Sequence, residues 1–445
     1  MIVLNSRVVR IAGAGVLSGL LIGIVGGGFQ LLLHAADWLR GTLIARAHAW
    51  PHVGWLVPVG LGLAGAALAR LLVVRFSPEA EGSGVQRVEA FYSGDIKPAT
   101  LSVLPVKFFG GILAMGCGLA LGREGPTVQM GSTLAALVSH FLVKKDDEAK
   151  LVDAAGAGAG LATAFNAPMS GAIFVFEELT SSFNPYLLVA ATGAATTAVA
   201  VSRLVFGDQF DFTVKLVSLT TLWREWPFAV LGILIGVLGP LYNRIIILLL
   251  RIGDNSVKLN SVQRAAVIGA VIGMIAWFAP TLVGGGDNLT QAILSSSLTI
   301  RALTIIFVLR FFIGPLSYAA GAPGGLFAPM LVLGASFGAL FGQLMNHLEP
   351  GLGVTPLACA VVGMGTLFSA CVRAPLTGTL LSVEMTGRGD LTLGILGASM
   401  VAIVVAMWLE NEPIYESLKR RMIEQQTRPN ERNVLVTEGS PRSES

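Results

Sequence analysis

Lys107, Arg123, Glu124, Glu177, Glu178, Arg310, Arg373 and Glu384 are ionisable residues set within otherwise apolar stretches of the chain. On insertion scales an ionised group at the centre of a membrane helix costs roughly 2.5–3.5 kcal/mol, so each needs a partner or a function. Internal comparison sorts them. Aligning Phe108–Leu137 with Phe311–Leu340, an offset of 203, gives ten identities in thirty positions, among them Gly111, Gly118, Gly122, Pro126 and Gly131. A second block, at offset 207, matches Ala167-Pro168-Met169-Ser170-Gly171 with Ala374-Pro375-Leu376-Thr377-Gly378. Lys107 mirrors Arg310 and Glu177 mirrors Glu384, which predicts scaffold roles duplicated in each half. Glu124 and Glu178 instead have Phe327 and Met385 as mates. Acids kept in only one half of a symmetric scaffold are the natural carriers of proton chemistry.

Three Gly-rich breaks interrupt the apolar runs: Gly82-Ser83-Gly84-Val85, Gly122-Arg123-Glu124-Gly125-Pro126 and Gly324-Gly325-Leu326-Phe327-Ala328-Pro329. Glycine permits tight turns and proline suits a first helical turn, so helix N-termini are predicted to start there, inside the membrane. Each such end offers free N–H groups and about half a positive charge, which suits a partly dehydrated anion. The bland alternative is that these glycines only let helices pack closely. Beside such an end, the Glu124 carboxylate would take the anion's place when ionised and leave it when protonated. The plainer expectation for Glu124 is a salt bridge to Arg123.

The elements that hold these residues are membrane helices. Only 13% of the 445 residues are charged and 53% are hydrophobic, against roughly 25% charged in a soluble domain. Val9–Leu33, Trp55–Val74, Val267–Val283 and Leu391–Leu409 approach the roughly 20 residues that cross hydrocarbon. The class is an all-α polytopic membrane protein, because irregular backbone cannot face lipid. Arg7 and Arg10 before the first span, with Lys419, Arg420 and Arg421 after the last, predict cytoplasmic termini and an even number of spans. The first apolar block reads as a retained span, not a cleaved leader. The domain reading is one membrane unit, 1–420, in halves of about 1–220 and 221–420 joined near 215–228, followed by a polar, disordered tail at 421–445. The alignment leaves the orientation of the second half open. Internal repeats with interrupted helices at matching places point to a transporter whose substrate sits at the repeat interface.

Other classes find little support. Cys117, Cys359 and Cys371 lie in apolar segments without paired spacing and are expected to pack inertly. A serine hydrolase built on Ser83 or Ser170 lacks a base, since His34, His48, His52 and His347 fall near span ends and His140 precedes a charged loop. The sequence carries neither a nucleotide-binding P-loop nor a zinc-type His-Glu-x-x-His run, so no nucleotide, cofactor or metal is expected. The basic ends are too few for nucleic acid.

The runs GREGPTVQMG (122–131), AAGAGAGLATAFNAPMSGAIFVFEEL (154–179), GAPGGLFAPM (321–330), RAPLTGTLLSVEMT (373–386) and NEPIYESL (411–418) closely resemble the CLC family of chloride channels and chloride/proton antiporters, in its short prokaryotic antiporter form. The resemblance covers about residues 10–420. It implies an antiparallel inverted repeat of about eighteen membrane helices, many tilted or partial, in a homodimer of the prokaryotic inner membrane with one ion path per subunit. By motif position, Ser83 and Tyr415 would offer hydroxyls to a central chloride, and Leu326 and Phe327 their backbone amides. Gly82, Gly84, Gly122, Arg123, Gly125, Pro126, Gly325 and Pro329 belong to the supporting motifs. Glu124 matches the outer gating glutamate and Glu178 the inner proton-transfer glutamate. The implied activity is H+/Cl− antiport, with a passive voltage- or pH-gated chloride channel as the alternative. Glu178 speaks against the channel, since channels of the family generally lack that acid. Where the family reads GSGIP this chain reads GSGVQ, so Gln86 is expected to loosen the helix start below Ser83 and Arg87 to add charge at the inner mouth. With so short a tail, the cytosolic CBS domains of many eukaryotic relatives are not expected.

Overall fold

A computed structural model describes residues 6–425 apart from 51, 144, 209, 215–225, 256–258, 296–297 and 350–353. Residues 215–225 of the expected joint at 215–228, and the tail from 426 onward, lie outside the described residues. Helices appear in the same order twice. The first set is α1 (Ser6–Ala47), α2 (Leu56–Phe76), α3 (Val85–Ser93), α4 (Val103–Gly116), α5 (Glu124–Leu142), α6 (Asp146–Phe165), α7 (Pro168–Phe174) and α8 (Pro185–Phe206). Their counterparts are α9 (Trp226–Asp254), α10 (Ser261–Phe278), α11 (Asp287–Ser295), α12 (Ile300–Tyr318), α13 (Phe327–Leu348), α14 (Pro356–Val372), α15 (Pro375–Thr386) and α16 (Thr392–Trp408). A last helix, 414–425, carries Tyr415. It extends past the expected boundary at 420 because Arg421 is held by Asp254 at 2.6 Å.

The second half is inverted. A methyl placed at Gly269 of α10 would lie 2.0 Å from the Gly62 carbonyl oxygen of α2, and one at Gly273 would lie 2.2 Å from that of Pro58. Residue numbers therefore fall along α2 as they rise along α10, so these counterparts cross antiparallel at backbone contact, an approach only small residues allow. Helices related by an axis along the membrane normal would run parallel; antiparallel counterparts place the axis in the membrane plane.

Eight helices are long and apolar enough to cross a bilayer: α1, α2, α8, α9, α10, α12, α13 and the segment 389–408 that contains α16. In α13 78% of the apolar window is buried, against 33–44% in the other seven, so α13 runs inside the protein while the others show a face to lipid. That lipid face carries Leu20, Ile24, Leu68, Val237, Leu248 and Val404. Exposed Trp38, Trp50, Trp226 and Trp408 lie toward helix ends, as interfacial tryptophans do. Cys117, Cys359 and Cys371 are free thiols, the latter two within the hydrophobic core.

The duplicated acids have a duplicated task. Glu177 accepts from the backbone N–H groups of Leu376 and Thr377, at 2.9 and 2.7 Å, and from the Thr377 hydroxyl. Glu384 accepts in the same way from Met169 N, Ser170 N and the Ser170 hydroxyl, at 3.0, 2.7 and 2.5 Å. Each half thus caps the helix start of the other, a negative group on a positive helix end. The Ser170 hydroxyl is committed to this cap. Arg373 closes α14 in the left-handed region at φ 71°, and its guanidinium donates to the Asn411 carbonyl. Glu384→Ala is expected to destabilise the protein by about 1–3 kcal/mol, since the three bonds to this charged acceptor are exposed or part-buried and hydrogen bonds to charged groups contribute at most ~1.5–3 kcal/mol each. Thermal unfolding in detergent measures this, and an unchanged midpoint would show the caps to be idle.

Candidate functional site

The two halves meet at a pair of repeat mates. Gly122 N donates to Gly325 O at 2.9 Å and Gly325 N donates to Gly122 O at 2.7 Å, an isolated antiparallel bridge. It draws the N-termini of α5 and α13 together. The Ser83 loop joins them through Gly324 N, which donates to Gly82 O at 3.1 Å. Helices α3, α5 and α13 begin at Val85, Glu124 and Phe327, as the Gly-rich breaks predict, and Pro126 and Pro329 fall in first turns where no intrahelical bond is lost. Three positive helix ends converge in the interior.

Glu124, fully buried, reaches across this junction. Its Oε1 accepts from Phe327 N at 2.6 Å, so the carboxylate of one half sits on the helix end of the other. Its Oε2 has no protein partner, nor do the buried hydroxyls of Ser83 and Tyr415. The Tyr415 ring lies 5.8 Å from the Phe327 ring, and Leu326 and Phe327 are both fully buried. A buried polar atom left without a partner costs about 1–3 kcal/mol, so the two hydroxyls are placed to donate to something that accepts hydrogen bonds. Gly125 sets how closely α5 approaches Ser83: a methyl there would lie 2.5 Å from the Ser83 hydroxyl and 2.7 Å from its carbonyl oxygen. Gly125→Ala is therefore expected to cut chloride movement about tenfold or more, read as efflux from loaded liposomes, because the methyl displaces a ~1–2 kcal/mol set of contacts; normal efflux would mean that nothing passes beside Ser83.

Arg123 does not pair with Glu124. Its guanidinium binds Asp287 at 2.9 Å and Asp211 at 3.2 Å, and its Nε donates to Ala164 O at 2.7 Å. Burial pushes the Asp211 carboxyl, on the loop after α8, up to about 6, with Arg123 opposing that rise. The salt-bridge expectation for Glu124 is thus replaced by a network that leaves Glu124 to the helix ends. Lys107 and Arg310, the paired cations, hold paired loops. Lys107 Nζ donates to Gly82 O and Ser83 O at 2.6 and 3.0 Å, and Arg310 Nη1 donates to Gly284 O at 2.8 Å. The turns Pro78–Ala80 and Pro280–Leu282 precede these loops, revealing a third repeat match at offset 202 that pairs Pro78, Gly82 and Gly84 with Pro280, Gly284 and Gly286. Those three matched spacings were the available signal.

Glu178 stands apart from Glu124. It lies half-buried on Val175–Leu179, a π-helical turn that continues α7, a distortion common at functional sites. Its charged surroundings are Glu177, Glu89 of α3, and Glu416 and Lys419 of the last helix. Lys419 bridges Glu89 at 2.9 Å and Glu416 at 3.2 Å. One turn before Glu178, the Phe174 ring meets the Phe327 ring at 5.8 Å, and Phe165 and Phe368 pack on Phe327 as well. An aromatic cluster thus separates the two acids. Arg87 adds no free charge at this mouth, because Glu79 pairs with it at 3.0 Å.

Residues 65–407 match the protein family described as Voltage gated chloride channel. The chain belongs to the CLC family. A CLC protein named H(+)/Cl(-) exchange transporter ClcA, from Vibrio cholerae, is 38% identical over 425 residues, 92% of this chain and 89% of that one. Its namesake in Cronobacter sakazakii is 36% identical over 424 residues, again 92% and 89%. A slow cyanobacterial Cl−/H+ antiporter solved by crystallography superposes with a TM-score of 0.89 at 32% identity, covering 94% of this chain and 99% of that chain. The family is one of transporters.

Proposed function

We propose that this CLC protein exchanges chloride for protons across the cell membrane. The observation that carries the reading is the Glu124 carboxylate seated on the α13 helix end at Phe327 N, beside the unpartnered Ser83 and Tyr415 hydroxyls. A carboxylate and a chloride compete for such a position by the same electrostatics. Ionised Glu124 closes the path; once protonated it loses its hold on the Phe327 amide, leaves, and carries a proton as chloride passes from between Ser83 and Tyr415 to the amides of Leu326 and Phe327. Glu178 passes the proton between the aromatic cluster and the cytoplasm. Transport needs no cofactor, draws only on ion gradients, and takes place in a homodimer of the inner membrane with both termini in the cytoplasm. The names borne by the bacterial relatives support the ion pair. In chloride-loaded liposomes, outward chloride flow is expected to drive proton uptake against a pH gradient. Chloride flow at a reversal potential indifferent to pH would mark a passive channel instead.

A further inference from the structure

We infer that Gln86 and Tyr318 form a polar clamp that positions Ser83 and so sets the affinity of the inner anion site; the inference rests on the chloride/proton exchange proposed above. The Gly82-Ser83-Gly84 loop is strongly bent, with φ of +64° at Gly82 and +93° at Gly84. Its carbonyls are held from one side, Gly82 O and Ser83 O by Lys107 and Gly82 O also by Gly324 N. Its amides are held from the other. Gly84 N donates to the side-chain Oε1 of Gln86 at 3.2 Å, and Ser83 N donates to the phenol oxygen of Tyr318 at 3.3 Å. A methyl placed at Gly82 would lie 2.8 Å from the Tyr318 phenol oxygen and 3.7 Å from the Gln86 amide nitrogen, so the two side chains flank the loop side by side. Both are buried, at 8% and 4% exposure. The Ser83 hydroxyl is the loop's side-chain group left without a partner.

This arrangement does the work a proline at position 86 would do. Proline fixes the backbone at a helix start and removes an N–H that has no intrahelical acceptor. Gln86 keeps that N–H but reaches back and caps Gly84, as a helix-start side chain does for a free donor. The clamp is also not repeated at the mate loop. At offset 203 the mate of Tyr318 is Met115, and at offset 202 that of Gln86 is the exposed Asn288, beside a loop whose central residue is Gly285. A polar device built only at the loop that bears the hydroxyl serves the hydroxyl. It stands where a cavity of about 500 Å³, lined by Glu81, Gly82, Gln86, Arg87, Tyr318 and Arg421, reaches the loop, so an anion entering from that side meets the clamp before Ser83.

The test is calorimetric titration of chloride into purified wild type, Gln86→Met, Tyr318→Phe and the double variant, with thermal unfolding followed in parallel. Each single variant is expected to raise the chloride Kd roughly fivefold to tenfold, the effect of one lost orienting hydrogen bond. Since both act through one loop, the double variant is expected to be no weaker than about the worse single one. Tyr318→Phe removes a single oxygen and keeps the assay usable if Gln86→Met folds poorly. A chloride Kd within about twofold of wild type in both singles, or a lowered melting temperature with no change in Kd, would overturn the clamp. Failure of the exchange reading would show differently, as wild-type protein that binds chloride yet moves no protons.

Discussion

Glu124→Ala is expected to reduce proton movement to roughly a hundredth or less, the scale on which positioned acid–base groups act, while chloride continues to pass. Glu124 is the carboxylate that hydrogen-bonds across the junction of α5 and α13, through Phe327 N at 2.6 Å. Removing it clears the anion's place and removes the proton carrier in one step. Glu124→Gln separates the two effects, since the amide keeps the shape and can still accept from Phe327 N but cannot take up a proton. Both variants are expected to lose coupling; the glutamine form, still obstructing the path, is expected to pass chloride more slowly than the alanine form. Paired chloride and pH electrodes on a liposome suspension give both fluxes. Proton uptake at the wild-type rate in either variant would remove Glu124 from the mechanism.

Glu178→Gln is the second large effect. Proton movement is again expected to fall to roughly a hundredth, but chloride flow is expected to remain gated, because Glu124 and its contact to Phe327 are untouched. Its neighbour Glu177 provides the contrast. Glu177 is spent on Leu376 and Thr377, so Glu177→Gln is expected to lower the melting temperature through the lost cap and to spare the ratio of protons to chloride in the protein that remains folded. If the two substitutions exchange these outcomes, the assignment of the pair is reversed.

The division of labour between these neighbours was legible because the chain carries its own control. Glu177 recurs as Glu384 and Lys107 as Arg310, whereas Glu124 and Glu178 do not recur, and the structure finds the recurring groups on backbone loops and helix starts. The three helix starts were legible for a local reason: glycine and proline fix backbone geometry within a few residues. What the sequence withheld is the choice of distant partner. Arg123 sits next to Glu124 yet pairs with Asp211 and Asp287, 88 and 164 residues away. Gln86 reads as the loss of a proline, and its compensation arrives from Tyr318 on α12, in the other half of the chain. The inversion of the repeats was equally invisible in an alignment, since it is a property of how α2 meets α10 and not of which residues match.

Crystals of wild type and Glu124→Ala soaked in bromide, which scatters anomalously in place of chloride, bear most directly on whether carboxylate and anion share one position. In the alanine variant an anomalous peak is expected within hydrogen-bonding distance of Phe327 N, where the Glu124 oxygen otherwise lies, together with one between Ser83 and Tyr415. In wild type at neutral pH only the second is expected. A wild-type peak beside Phe327 N with Glu124 still bound there, or no peak at that amide once the side chain is gone, would contradict competition between them.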